Sequence, residues 1–259
     1  MSIYLLVVIG GILAGFVTTL AGLGSVLTLY ILIEIVGLDS DIANGTNRLG
    51  IMAMSLIAIP TFYKGGHLNV RKSWPILLAL FIGSIGGVIL AVNIDNAAFR
   101  KVFRYLLIVM LFIVFIDPKK WIVNTDHTHQ MSYWMLPILV VIGFYAGFIQ
   151  VGTSVLLVVF LAIAGKYSLV DASGIKLTAF ALYTAVCIAI FAYNDKIAWQ
   201  LGGILAIGEG IGAYIAAKVA TTYPKANSVV RYLLITMLII AIIQMFELYQ
   251  YVNLFIRPE

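Results

Sequence analysis

Three charged residues stand inside apolar stretches where charge is rare: Arg48, Lys176 and Glu209. Charges at such depth face a cavity or a partner. Arg48 ends the run Ala43-Asn44-Gly45-Thr46-Asn47-Arg48, and Lys176 ends Ala172-Ser173-Gly174-Ile175-Lys176. A guanidinium can hold two oxygens of a planar or tetrahedral oxyanion through its forked donors. Upstream of each cation lies a short apolar segment that opens on small residues, Ala21-Gly22-Leu23-Gly24-Ser25 before the first and Val151-Gly152-Thr153-Ser154 before the second. Where such a segment starts as a helix, its first N–H groups are free and its dipole favours negative charge. Ser25, Thr153 and Ser154 add hydroxyl donors there, and Gln150 stands just before the second break.

The chemistry these types and spacings suit is reversible binding of a small anion. The first half would supply Gly22, Gly24, Ser25, Asn44, Gly45, Thr46, Asn47 and Arg48. The second would supply Gln150, Thr153, Ser154, Ser173 and Lys176. Asn44, Thr46, Asn47 and Ser173 would act there as helix caps or hydrogen-bonding groups. Two plainer readings stand beside this one. Small residues also serve close helix packing, and a cation one turn from a helix end can snorkel to the headgroups. Depth decides between them: helices that begin at the membrane surface favour snorkelling, and helices that begin inside bring both cations toward the midplane.

Glu209, in Gly208-Glu209-Gly210-Ile211-Gly212, is the one acid well inside a long apolar run. It is a candidate for a coupling proton, for an ion pair with Lys176, or for a structural pair with Lys218. His67, in the basic loop Lys64-Gly65-Gly66-His67, reads as a gate, a pH sensor or a solvated loop residue. His127 and His129 fall in a polar linker without a nearby cysteine, so no metal site and no cofactor is expected.

The elements that must position these residues are apolar. The chain of 259 residues is 63% hydrophobic and 10% charged, with a mean hydropathy of +1.08. A soluble domain is nearer half apolar and a quarter charged, so the composition indicates a polytopic membrane protein. The net charge of +5 is read as topology-setting loop cations and not as a nucleic-acid footprint. The single cysteine, Cys187, excludes an intrachain disulfide.

Apolar runs between polar breaks give ten segments: 3–20, 24–37, 42–63, 73–93, 99–116, 133–150, 153–165, 171–193, 198–220 and 227–252. Helices are expected throughout, since the runs lack the alternation of a membrane barrel. An upright span needs about 20 residues. The second and seventh segments, of 14 and 13 residues, are therefore tilted short spans or half-helices that dip in and return.

The chain repeats itself. Arg104-Tyr105-Leu106-Leu107-Ile108-Val109-Met110 recurs as Arg231-Tyr232-Leu233-Leu234-Ile235-Thr236-Met237, 127 residues on. Gly83, Gly87 and Ala91 recur as Gly208, Gly212 and Ala216 at 125, Ala14-Gly15-Phe16 as Ala146-Gly147-Phe148 at 132, and Asn44-Gly45 as Ser173-Gly174 at 129. Matches that stay in order at so steady an offset indicate duplication. The organisation is a membrane repeat over 1–116, a polar linker over 117–132 and a second repeat over 133–259. An odd number of crossings in each half inverts one against the other, whether the short segments span or are re-entrant; inverted repeats place a substrate site near the midplane. The fold class expected is thus all-α and polytopic, with two inverted five-segment repeats and roughly 8–10 transmembrane helices. Alternate loops carry nine and five cations, which places the loops of Lys64, Lys72 and Lys166 in the cytoplasm, those of Arg100 and Lys196 on the other face, and both termini outside.

In these motifs the chain resembles the sulfite exporter TauE/SafE family, over nearly its whole length as two related halves. The resemblance rests on the glycine-rich break near the first helix of each half and the later Ala-x-Gly-Thr-Ser-like stretch. Here those read Ala21 to Ser25 with Ala43 to Asn47, and Val151 to Ser154 with Ala172 to Lys176. Ser25 replaces a glycine of that pattern, and Asn47 and Lys176 stand where serine is commoner. The resemblance implies movement of small, often sulfur-containing, anions across the bacterial plasma membrane.

The functional expectation is a secondary transporter for sulfite, a sulfonate or a related oxyanion, working by alternating access. Its partners would be the small anion, the lipid bilayer and a coupling proton or ion, with no nucleic acid. No Gly-x-x-x-x-Gly-Lys loop is present to bind a nucleotide, so a gradient would drive it. An intramembrane enzyme would need paired acids, a His-Glu-x-x-His helix or a nucleophile with its base, none of which the sequence holds. The alternatives are a membrane assembly or interaction protein without transport, and a transporter of a different small solute.

Overall fold

In a computed structural model the structure describes residues 3–115, 132–222 and 239. Among them every regular element is a helix. The expected tenth segment apart from residue 239, the linker histidines, Lys225 and Arg231 lie outside the described residues.

The first element, α1 (Ile3–Ala21), ends where Gly22 takes φ +80, a left-handed conformation that a side chain resists. The chain then folds back as α2 (Gly24–Tyr30), which passes into a π-helical turn over Ile31–Ile35. A Cβ on Gly24 would run into the carbonyl of Ala14 and the hydroxyl of Thr18, and one on Gly10 into the side chain of Ile31. These contacts make α1 and α2 an antiparallel hairpin with its tip at 22–24. The second half repeats the construction: α6 (Met135–Phe148) and α7 (Thr153–Ala164) turn through Gln150 at φ +61 and Gly152 at φ +72. Trp134 before α6 and Phe160 near the end of α7 stack edge-on at 6.2 Å, so this pair is also antiparallel. The two under-length segments are returning arms of hairpins.

Between the hairpins run longer helices: α3 (Ser40–Lys64), α4 (Val70–Asn93), α5 (Asn96–Phe115), α8 (Leu169–Tyr193) and α9 (Trp199–Thr222). Among the described residues Val70–Asn93 and Val170–Tyr193 are long and apolar enough to cross a membrane. Side chains are distributed inside out. Leu78, Ile82 and Ile89 of α4 and Ile207, Ile211 and Ile215 of α9 are exposed, whereas Asn44, Asn47, Arg48 and Glu209 are fully buried. Apolar outside and polar inside is the pattern of a protein solvated by lipid.

The packing exchanges the halves. α1 lies on α9 and α4 on α6. Small residues at four-residue spacing permit both crossings. A Cβ on Gly15 would strike the main chain of Glu209, and one on Gly212 that of Ile12; a Cβ on Gly147 would strike Ser84, and one on Gly87 Phe144. These are the glycines that the internal repeat aligns, and their spacing is the one that brings membrane helices into backbone contact. At the centre α3 and α8 pack antiparallel. Gly45 near the start of α3 abuts Phe191 and the carbonyl of Lys196 past the end of α8. Gly174 near the start of α8 abuts Phe62, His67 and Leu68 at the end of α3.

At each end of that central pair an acid meets a basic side chain. Lys196 meets Asp41 at 2.5 Å, and His67 meets Asp171 at 3.1 Å. Each joins the start of one central helix to the loop that follows the other. The two contacts lie at opposite ends of the central pair, His67 with Asp171 and Lys196 with Asp41.

Candidate functional site

The two hairpin tips meet. A Cβ on Gly22 would lie 2.5 Å from Ser154 Oγ and 2.7 Å from Ser154 Cβ. Gly22 is therefore glycine for two independent reasons, its left-handed φ and the start of α7 pressed against it. Gly24 differs, since its missing side chain lets α2 lie against α1. The plain packing reading holds for Gly24, while Gly22 joins the two breaks that the sequence repeats.

Arg48 reaches this junction from α3. It lies two turns into its helix, about 12 Å from the first residue at 1.5 Å per residue, and is fully buried. Its guanidinium takes hold of the end of α6, where the last carbonyls lack partners within the helix. One terminal nitrogen donates to Ala146 O at 2.7 Å and to Gln150 Oε1; the other donates to Gly147 O at 2.8 Å and to Asn44 Oδ1 at 3.3 Å. Asn44 Nδ2 adds a bond to Phe148 O at 2.6 Å. Phe191 of α8 lies beneath the guanidinium, 5.9 Å from its carbon. A cation at the C-terminal, negative end of α6 is well placed electrostatically. It also leaves the start of α7 as the uncompensated positive pole of this tip.

Donors remain around the tip. Arg48 Nε, Gln150 Nε2 and Thr153 Oγ1 are buried without an acceptor among the described residues, and both amide atoms of Asn47 are buried without a partner. Buried polar groups in proteins are paired as a rule. These donors come from α3, the α6–α7 turn and the first residue of α7. Tyr145 steadies the turn by donating its hydroxyl to Val151 O at 2.5 Å. Gln150 holds a left-handed conformation uncommon for a residue with a side chain, a strain characteristic of functional turns.

Lys176 stands seven residues into α8, about 10 Å from its start. It is 5% exposed and forms no hydrogen bond or ion pair among the described residues. Because α3 and α8 are antiparallel, Arg48 and Lys176 enter from opposite ends of the central pair. Ser25 and Ser154 are buried at the starts of α2 and α7, and Ser173 is half-buried one turn into α8. Thr46 accepts the Ala198 N–H at 2.9 Å, a tie to the start of α9. Gly45 permits the crossing with α8.

Glu209 is fully buried away from both cations' bonds. It accepts a hydrogen bond from Thr28 of α2 at 3.0 Å, and its second oxygen has no partner among the described residues. It is not paired with Lys176. The end-closing pairs Asp41–Lys196 and Asp171–His67, and the aromatic platform Phe191, escape a reading of the sequence. The signal that could find them is the 129-residue offset, which places His67 opposite Lys196 and Phe62 opposite Phe191.

Comparison with known proteins agrees with this architecture. Residues 7–245 match the family model described as sulfite exporter TauE/SafE. A probable membrane transporter protein of Haemophilus influenzae is 30% identical over 230 residues, 88% of each chain. The probable membrane transporter protein ORF9 of a Sinorhizobium species is 24% identical, covering 88% of this chain and 86% of its own. The probable membrane transporter protein YfcA of Escherichia coli K12 is 23% identical over 85% of this chain and 80% of its own. No solved structure matches. The chain belongs to the sulfite exporter TauE/SafE family of membrane transporters.

Proposed function

We propose that the protein is a secondary transporter that moves a small sulfur-containing oxyanion, sulfite or a sulfonate, across the bacterial inner membrane by alternating access. The observation that carries this reading is the meeting of the two hairpin tips beside buried donors that have no acceptor among the described residues: Arg48 Nε, Gln150 Nε2 and Thr153 Oγ1. A tetrahedral or pyramidal oxyanion accepts several hydrogen bonds at once and suits the positive start of α7. Arg48 acts in two directions, holding the α6 carbonyls with its terminal nitrogens and offering Nε to the ligand. Lys176, without a hydrogen bond or ion pair among the described residues, is the second cation of this reading.

The exchanged packing of α1 on α9 and α4 on α6, and the antiparallel α3–α8 pair, support two inverted repeats. In the first half this gives three crossings and one re-entrant hairpin, in the described residues of the second half two crossings and one re-entrant hairpin, and the chain is multi-pass. Asp41–Lys196 and Asp171–His67 lie where gates of such a transporter would be, one toward each side.

The test is counterflow in proteoliposomes with labelled sulfite and a labelled small sulfonate, chloride serving as control. Lys176→Met and Thr153→Val are expected to lower counterflow at least about tenfold, the loss of roughly 1.4 kcal/mol of binding. Unchanged counterflow in the double variant would sink the site. Equal movement of chloride would sink the oxyanion.

A further inference from the structure

We infer that Glu209 is a reversible proton-binding site whose charge state decides whether the Thr28 hydroxyl donates to Glu209 or to the Gly24 carbonyl at the first hairpin tip. The coupling meaning given to it below rests on the transport reading above; the proton site itself does not.

Glu209 is the eleventh residue of α9 and has no exposed surface. Three helices close around it, and two of them present glycine. A Cβ on Gly50 of α3 would lie 2.6 Å from the carboxyl carbon and from Oε2, and a Cβ on Gly15 of α1 would meet the Glu209 main chain. The third, α2, presents Thr28. The protein thus makes room for a carboxyl group and gives it one neutral hydroxyl as a partner.

No cation is set beside it among the described residues. The described part of α1 carries no charged side chain, its one titratable group being the exposed Tyr4. On the α2 arm, Tyr30 is buried two residues past Thr28, and Glu34 is taken by Arg100 at 2.6 Å. On α3, Asp41 is taken by Lys196, the terminal nitrogens of Arg48 by the end of α6, and Tyr63 and Lys64 are exposed at the far end. On α9, Tyr214 is exposed, and the side chain of Lys218 is outside the described residues. A carboxylate buried without a cation is costly, and it is relieved by taking up a proton or a small metal ion. One neutral hydroxyl and a walled-off second oxygen fit the proton. A hard metal ion asks for several oxygen ligands.

Thr28 makes the site more than a local titration. Its hydroxyl has one hydrogen and two acceptors in reach, Glu209 Oε1 at 3.0 Å and Gly24 O at 3.4 Å. With Glu209 charged, the hydrogen goes to the carboxylate, because a charged acceptor forms the stronger bond. With Glu209 protonated, the carboxyl O–H donates to Thr28 Oγ1, and Thr28 turns its own hydrogen to Gly24 O. One proton is added to a carboxylate oxygen, and no covalent bond breaks elsewhere. Gly24 is the first residue of α2 and follows the Gly22 turn that touches Ser154. The proton is read out one turn from the tip where the anion is proposed to sit.

The test uses the full chain in lipid nanodiscs, with infrared difference spectra recorded across a pH titration and no anion added. A protonated-carboxyl C=O band that titrates in the wild type is expected to vanish in Glu209→Gln. It should shift in frequency in Thr28→Val and return to the wild-type position in Thr28→Ser. A band unaffected by Glu209→Gln, or one displaced by sodium at constant pH, overturns the proton site. A band that Thr28→Val does not move overturns the hydroxyl switch. A separate arm uses proteoliposomes with a trapped pH dye and a small sulfonate, which carries no proton of its own near neutrality. Glu209→Gln is expected to retain sulfonate counterflow while losing at least tenfold of the proton movement that accompanies net flux. Proton movement equal to wild type in Glu209→Gln overturns the coupling. Absence of sulfonate counterflow in the wild type tells against the transport reading and the coupling built on it, and leaves the infrared result standing.

Discussion

Replacing Gly22 by alanine separates two costs that the structure superimposes at one atom. Alanine at φ +80 costs about 1–2 kcal/mol for the left-handed backbone. Its methyl would also sit 2.7 Å from Ser154 Cβ, an overlap at the start of a helix whose correction costs about 1–3 kcal/mol. The expected loss for Gly22→Ala is the sum, about 2–5 kcal/mol, read as reversible unfolding in mixed detergent micelles. Ser154→Gly removes the second cost alone. Combined with Gly22→Ala it should recover about 1–3 kcal/mol, although by itself it costs up to about 1 kcal/mol in helix propensity. Ser154→Ala keeps the offending Cβ and should recover less. If the Gly22→Ala and Ser154→Gly effects add to within about 0.5 kcal/mol, the two tips are not in contact and the bipartite site has no structural basis.

Arg48→Lys keeps the charge and loses the fork. One ammonium cannot reach Ala146 O, Gly147 O and Gln150 Oε1 together, and a loss of about 2–4 kcal/mol is expected in the same unfolding assay. Gly147→Ala should destabilise by about 1–3 kcal/mol despite alanine's better helix propensity, because its Cβ meets the Ser84 main chain; Gly203→Ala, with nothing within 4 Å, should stabilise by up to about 1 kcal/mol. Asp171→Asn is expected to raise thiol labelling of a cysteine placed at Gly66, and Asp41→Asn that of one placed at Gly37, each without effect at the other end. Cysteines at Lys72 and Lys101 should label from opposite sides of intact vesicles, and labelling of both from one side would reverse the topology.

The internal match of the sequence falls on residues that the packing does not let change. Gly15 and Gly147, Gly83 and Gly208, and Gly87 and Gly212 each stand where a methyl would enter another helix's main chain. The segment ends were readable to within a few residues for the same kind of reason: 42–63 became Ser40–Lys64 and 153–165 became Thr153–Ala164. Whether the short segments cross or return was not, since their length suits both and only Gly10 against Ile31, or Trp134 against Phe160, decides it. The sequence marks Arg48 as a cation that either snorkels or lies buried; it is fully buried, but its partners are main-chain carbonyls of α6 about a hundred residues away, and a carbonyl has no letter in a sequence. The turn at Gln150 was similarly hidden, because its left-handed conformation falls on a residue that does not advertise one. Lys176 and Arg48 look alike in the sequence, each following a small-residue motif; the difference is that, among the described residues, only Arg48 has a helix end to hold.

The packing of α1 on α9 has a consequence for how the protein is made. α4 finds α6 soon after both have entered the membrane, but the glycine-lined face of α1 is matched to α9, which is synthesised much later than α1. Through most of translation Gly11 and Gly15 are open to lipid or to whatever insertion factor shields them, and the walls that Gly15, Gly50 and Thr28 supply stand without the carboxyl group they enclose. The protein can therefore be stopped late and still be unfinished at its beginning. Truncation or mutation within α9 should make the N-terminal hairpin the part that quality-control proteases reach first, although the lesion lies at the other end of the chain.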